Sequence, residues 1–198
     1  MAYIFQQLAK SGRAAGIDSQ DRKISQEWYR SQAQKVTKVS VPKLIKTANP
    51  SEMFDSVGTV EIGKLYMFMY DPKHKDTLPY YDRFPLVIPI EPYVDGFLGL
   101  NLHYLPQAAR ASLMNALYDT INNDKFDNTT RMRVSYRILK NASRYAGFEV
   151  CLKRYLRSQM ISNILYVNPS DWDKALMLPT ERFVKARKST VHTNASRR

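Results

Sequence analysis

The pattern of apolar positions changes character near Lys64. From there the chain reads KLYMFMY, a run of aromatics and methionines dense enough for a buried strand. DPKHKDTLP interrupts it as a turn or loop. FPLVIPI is a second strand-like run, and its internal Pro89 removes a backbone donor, which predicts an edge strand or a bulge. YVDGFLGLNLHYLP supplies an Asp-Gly turn and a third strand. Three strands so close in sequence predict an antiparallel meander or a small, partly closed barrel over about residues 57–105.

After the strands the period becomes helical. Pro106 suits a first helical turn, and Leu105, Ala109, Leu113, Ala116, Leu117 and Ile121 form a stripe. Asn128 or Thr129 can cap the next helix, TTRMRVSYRILKNASRYAG, which ends at Gly147. FEVCLKRYLRSQMISNILYV is ambiguous: its first part fits a helix, and ILYV fits a strand. Ser170 is placed to cap a short helix, SDWDKALM. Upstream, Met1 to Lys10 is weakly amphipathic, with breaks at Ser11-Gly12 and Ala15-Gly16. Asp18 or Ser19 can cap a helix to about Val36, whose apolar stripe at Ile24 and Trp28 stops at Gln32. Residues 37–63 mix Lys, Ser, Thr, Pro and Gly and read as an extended connection. The fold class is therefore α+β: a small sheet followed by packed helices, with extended N- and C-terminal arms. The expected boundaries are an N-terminal helix and arm at 1–56, a core at 57–178, and a basic tail at 179–198.

Composition sharpens this picture. A chain of 198 residues with 44% apolar content is long and apolar enough for a real core, and too apolar for a disordered chain. Net charge is +12, but the central stretch 51–104 is net acidic and both flanks are basic. An acidic partner is implied: nucleic acid, an anionic membrane surface, or an acidic protein. The lone Cys151 rules out an internal disulfide and a cysteine zinc cluster, and fits a reducing compartment. No run of signal-peptide or membrane-spanning length is visible, so the expectation is a soluble chain made in a cytoplasm, without membrane insertion.

The sharpest chemical pattern lies on the helix after Thr129. Arg133, Arg137, Lys140 and Arg144 fall within about 60° of one another around the helix, between two apolar faces. Arginine can grip phosphate or carboxylate at two points, and like charges four residues apart cost helix stability unless a partner neutralises them. A solvated ridge is the plainer reading. Lys153, Arg154 and Arg157 form a second basic cluster, and the tail adds Arg182, Lys185, Arg187, Lys188, Arg197 and Arg198. Tyr145 and Tyr155 lie among these groups and could stack on bases, although packing is the commoner role. Nothing resembles a recognition helix, so phosphate contact is expected over base reading.

Catalysis finds little support. His74, His103 and His192 are scattered, and no phosphate loop, nucleophile elbow or dinucleotide fingerprint occurs. Asp71, Asp76 and Asp82 cluster around the DPKHKD loop and could bind a divalent ion with His74, but turn-forming Asp is commoner, so no metal, cofactor or catalytic residue is assigned. DGFLGLN reads as a turn plus close strand packing. LPYYDRFP, residues 78–85, reads as a structural strand entry: Pro79 and Pro85 stiffen it, and its three aromatics bury area.

One resemblance goes further than these patterns. YDPKHKDTLPYYDRFPLVIPIE, DGFLGLNLHYLP with its helix ARASLMNALYD, the TTRMRVSYRILKNASRY helix and DWDKALMLPTERFVKA resemble a family of tailed-bacteriophage proteins of the contractile-tailed, T4-like type. The resemblance spans roughly residues 20–195. Members are often labelled DNA end protector or virion structural protein. It implies a non-enzymatic part of the particle that sits on the packaged genome's terminus, with virion proteins and double-stranded DNA ends as partners. The alternative it leaves open is a tail, neck or baseplate subunit that joins its neighbours through arms. It carries over no catalytic residues.

Overall fold

The computed structural model describes residues 3–17, 21–48, 53–54, 60–121, 137–138, 141 and 149–196. Its centre is a six-stranded antiparallel sheet. The strands are β1 (Met53–Phe54), β2 (Leu65–Met67), β4 (Leu86–Tyr93), β5 (Gly96–Asn101), β6 (Leu152–Leu156) and β7 (Ile164–Val167), in the order β1-β7-β2-β4-β5-β6. A separate pair joins β3 (Tyr81–Asp82) to β8 (Phe183–Val184). The architecture is α+β, as the periodicity implies. The sheet stays open, so the barrel alternative does not hold.

The meander β2–β4–β5 is the part that local sequence predicts. Pro89 takes the bulge option: β4 is an interior strand, and its register with β5 shifts between Pro89 and Glu91. Gly96 and Gly99 also behave as read. A Cβ on Gly96 would lie 1.9 Å from the Tyr155 carbonyl oxygen, so β5 and β6 pair this closely because no side chain intervenes. ILYV is the expected strand, β7, and the segment before it takes the other of its two readings. LKRYL is strand β6, not helix, and lies along β5 with Gly99 opposite Lys153 and Phe97 opposite Tyr155. β7 inserts between β1 and β2.

The two sheet faces are covered differently. One carries Leu65, Met67, Leu86, Ile88, Leu100, Leu165 and Val167, buried under the helices. Each such side chain contributes roughly 1.5–3 kcal/mol by leaving water. The helices are α1 (Tyr3–Ala14), α2 (Arg22–Gln34), α3 (Val41–Lys46), α4 (Gln107–Ile121), α5 (Trp172–Met177) and α6 (Lys188–Ser196). The other face carries an aromatic cluster of Tyr66, Phe68, Tyr70, Phe97 and Tyr155 with Val87 and Ile164. Phe68 meets Tyr155 edge to face, with centroids 5.3 Å apart.

The segments read as arms contribute to the core at their described residues. Phe5 and Leu8 of α1, Ala33 of α2, and Val41 and Leu44 of α3 join the helix-covered cluster. α2 is capped by Asp21, whose carboxylate accepts from the Lys23 amide at 2.8 Å, while the expected caps Asp18 and Ser19 lie outside the described residues. α3 arises inside the stretch expected to be extended, because Ser40 caps it and Pro42 suits its first turn. At the other end, β8 pairs with β3, and α6 buries Val191 and Ala195, four residues apart on one helix face. α5 forms where SDWDKALM predicts it, but Asn168 caps the preceding turn, not Ser170.

Candidate nucleic-acid interface

LPYYDRFP is tied down at its centre. Tyr81 and Asp82 form β3, and the Asp82 carboxylate is buried at 4% exposure. One of its oxygens accepts from the Phe84 and Arg182 amides at 3.1 and 3.0 Å. The other accepts from the Asn101 side chain at 3.2 Å and from His103 Nδ1 at 2.6 Å. An ionised carboxylate only accepts, so the Nδ1 position carries a proton. His103 Nε2 lies 3.0 Å from the Thr180 hydroxyl. Burial pushes the Asp82 carboxyl up, but the His103 charge and these hydrogen bonds outweigh it and hold its pKa below the ordinary carboxylate value. The order Asp-His-Thr has the connectivity of a nucleophile triad. His103 and Thr180 are 0% exposed, however, so the network ties three distant segments together and offers no surface hydroxyl.

The loop before it, residues 71–79, is held from outside. Lys75 pairs with Asp71 at 2.8 Å. The Lys185 ammonium reaches across and donates to the carbonyls of Lys75, Asp76 and Leu78 at 2.7, 2.9 and 3.2 Å. Lys185 itself adopts a left-handed backbone, with φ of 67°. Asp71 and Asp76 are therefore parts of a braced turn. Among the described residues, no group of three or more His, Cys, Asp or Glu side chains is placed to hold a metal ion.

Between this loop and β6 lies an open cavity of about 320 Å³. Tyr70, Tyr80, Tyr81, Tyr104 and Tyr155 line it, with Lys73, His74, Lys153 and Arg154, while Asp82 and Asn101 reach it from the buried network. Tyr80 and Tyr104 stand 6.0 Å apart, tilted by 34°. The Lys153 ammonium lies 4.5 Å from the Tyr104 ring centre. Tyrosine faces beside cations suit a flat π-system that carries negative charge, as a nucleotide does.

β6 is an edge strand of the sheet, and it carries Lys153 and Arg154 into the cavity lining, while Arg157 follows directly after the strand. Arg154 lies 3.9 Å over the Tyr93 ring centre and forms an ion pair with Asp95. Arg157 is exposed, and its amide donates to the Asp95 carbonyl at 2.8 Å. Lysine and arginine on an edge strand also discourage pairing with another chain, so charge alone does not make this a ligand site; the adjoining aromatic cavity is the added feature.

The other sequence-marked cations divide. Lys185 is engaged in bracing the loop, and Lys188 pairs with Glu181. Arg187 is exposed. Arg137 is exposed in a helical turn, while Arg133, Lys140 and Arg144 lie outside the described residues, as does Tyr145. Tyr155, a candidate for stacking, is 3% exposed and belongs to the aromatic cluster. Tyr80, Tyr104 and Lys73 were not visible as candidates; the signal available for them was a tyrosine pair six residues after Lys73-His74. Cys151 is no nucleophile: burial pushes its thiol up to about 12. No helix among the described residues is long and apolar enough to cross a membrane.

Residues 6–196 match the family described as phage T4 terminal DNA protecting protein. No curated protein and no solved structure matches the chain.

Proposed function

The chain belongs to the phage T4 terminal DNA protecting protein family, and from that membership we propose that it binds DNA ends and shields them as a non-enzymatic component of a tailed-phage particle. The observation that supports this reading is the juxtaposition of Lys153 and Arg154 with the tyrosine-lined cavity, with the exposed Arg157 just after the strand, on a chain with net charge +12. These side chains would neutralise backbone phosphates, which attracts DNA without reading its sequence. Arg133, Arg137, Lys140 and Arg144 are proposed, on their spacing alone, as further phosphate contacts.

Purified protein should bind linear duplex at about 50 mM salt, and log affinity should fall with log salt at a slope near −0.9 per phosphate neutralised. No binding to linear DNA under those conditions sinks the proposal. Incubation with Mg²⁺ or Mn²⁺ should leave the DNA uncut; cleavage would instead make the protein a nuclease.

A second reading, a joint between tail, neck or baseplate subunits, draws on one observation. An open hollow of about 490 Å³ is lined by Val41, Pro42, Ile45 and Met69, with Arg83 and Arg182 beside them. A map of the assembled particle separates the two: one or two copies on the genome terminus fit end protection, and several symmetric copies within the tail fit the joint.

A further inference from the structure

A grip on phosphates does not distinguish the end of a duplex from its middle, because both present the same backbone. End recognition needs a feature that only a terminus can satisfy. The tyrosine-lined cavity has that character. Its volume, about 320 Å³, lies at the small end of the range for ligand pockets. Its aromatic walls offer π-faces, and Lys73 and Lys153 stand among them as cations. Any base can stack on such a face, so the site would be tolerant of sequence.

The walls are also built before any ligand arrives. The loop is braced by Lys185 through three carbonyls, Tyr80 and Tyr81 precede the fully bonded Asp82, and Tyr104 is 3% exposed. Little ordering is then left to be done on binding. A base inside a duplex is stacked and paired, and drawing it out is costly; an unpaired terminal base avoids most of that cost.

Resting on the reading of the protein as a DNA-end binder, we propose that the cavity beside Tyr80, Tyr104 and Lys153 takes up one unpaired nucleotide at the DNA terminus, its base against the half-buried Tyr80 ring and its phosphate on Lys73 and Lys153, with the buried Tyr104 backing the wall. The phosphate grip along β6 holds the adjoining duplex, and the cavity supplies preference for an end.

The test uses the full chain and three labelled DNAs of equal duplex length: a closed dumbbell with no end, a hairpin with one blunt end, and a hairpin with a short overhang. Overhang DNA should bind about tenfold tighter than the dumbbell. With 2-aminopurine as the unpaired nucleotide, fluorescence should change on binding, and the same probe inside the duplex should stay silent. Tyr80→Ala should bring the overhang-to-dumbbell ratio toward one, while Tyr80→Phe, which keeps the ring, should preserve it. Circular dichroism of both variants separates this from misfolding, and Lys153→Ala repeats the test from the other wall. If the protein binds overhang and dumbbell DNA alike, or keeps its preference and its 2-aminopurine signal in folded Tyr80→Ala, the cavity proposal is overturned and DNA binding stands. If it binds none of the three, the functional reading itself falls.

Discussion

Asp82 and Lys153 both line one cavity, yet their charges are held in different ways. The Asp82 carboxylate is buried, and its two oxygens have four partners: two amides, an asparagine and a histidine. The cations of β6 and its end are at least partly open to water, and the ion pair formed by Arg154 is a surface one. The physical reason is asymmetric cost. Removing an ion from water costs several kcal/mol, and the fold recovers this only if every lone pair is satisfied. An exposed cation costs little and stabilises little, so it remains able to exchange its counterions for phosphates. One cluster thus serves the fold, and the other keeps its charges at the surface, where a ligand can compete for them.

The comparison breaks most visibly at the buried end. Asp82→Ala should lower unfolding free energy by about 3–5 kcal/mol, since His103 and two amides lose their shared acceptor. Urea denaturation measures it, and a loss below about 1 kcal/mol would show that the network does not hold the fold. Arg110→Met should come next, at roughly 2–4 kcal/mol. Arg110 is fully buried and donates to the carbonyls of Leu105, Leu176 and His103 at 2.8, 3.0 and 3.1 Å. Methionine fills the space but leaves those acceptors without their donor.

Acid should separate the clusters without mutation. Asp82 and Glu181 are both held below their ordinary values of 3.8 and 4.5. For Glu181, burial works upward, but the His103 charge and the Lys188 hydrogen bond outweigh it. A depressed carboxylate contributes stability that is present above its unfolded pKa and lost as pH falls through the folded one. The urea midpoint should therefore hold from neutral pH to the ordinary carboxylate range and fall below it. Asp173, pushed up by burial despite its pairing with Arg30, acts in the opposite sense and softens the fall. In Asp82→Asn the acid-induced loss should be smaller. An unchanged loss would place the acid sensitivity elsewhere.

How far these features could be read in advance follows from how local they are. β2, β4 and β5 lie within about forty residues, and their alternation and Pro89 are visible in any short window. The stripe of α4 is equally local. β6 is different: LKRYL fits a helix as well as a strand, and its strand state depends on β5, about fifty residues away. The Asp82–His103–Thr180 network joins residues up to 98 positions apart, so no spacing announces it. LPYYDRFP could be recognised as a stiff aromatic entry, but not that its aspartate would be the most fully bonded group nearby. For the candidate site, the basic residues Lys153, Arg154 and Arg157 were legible from charge alone. The cavity beside them was not, because two of its walls come from segments about seventy residues apart.

The smallest effect on stability should come from Arg154→Ala. Its guanidinium lies over Tyr93 and pairs with Asp95, whose side chain is 63% exposed, so the pair should contribute less than about 1 kcal/mol. The thermal midpoint should barely move. The slope of log affinity against log salt for duplex DNA should nevertheless drop by about 1, since one phosphate contact is lost. Asp95→Asn sharpens the point from the other side. It releases Arg154 from its carboxylate while leaving the cation in place, so DNA binding should tighten where stability again hardly changes. If Arg154→Ala leaves the slope intact and Asp95→Asn leaves affinity intact, Arg154 belongs with the groups that serve the fold, and the cationic rim is limited to Lys153 and Arg157.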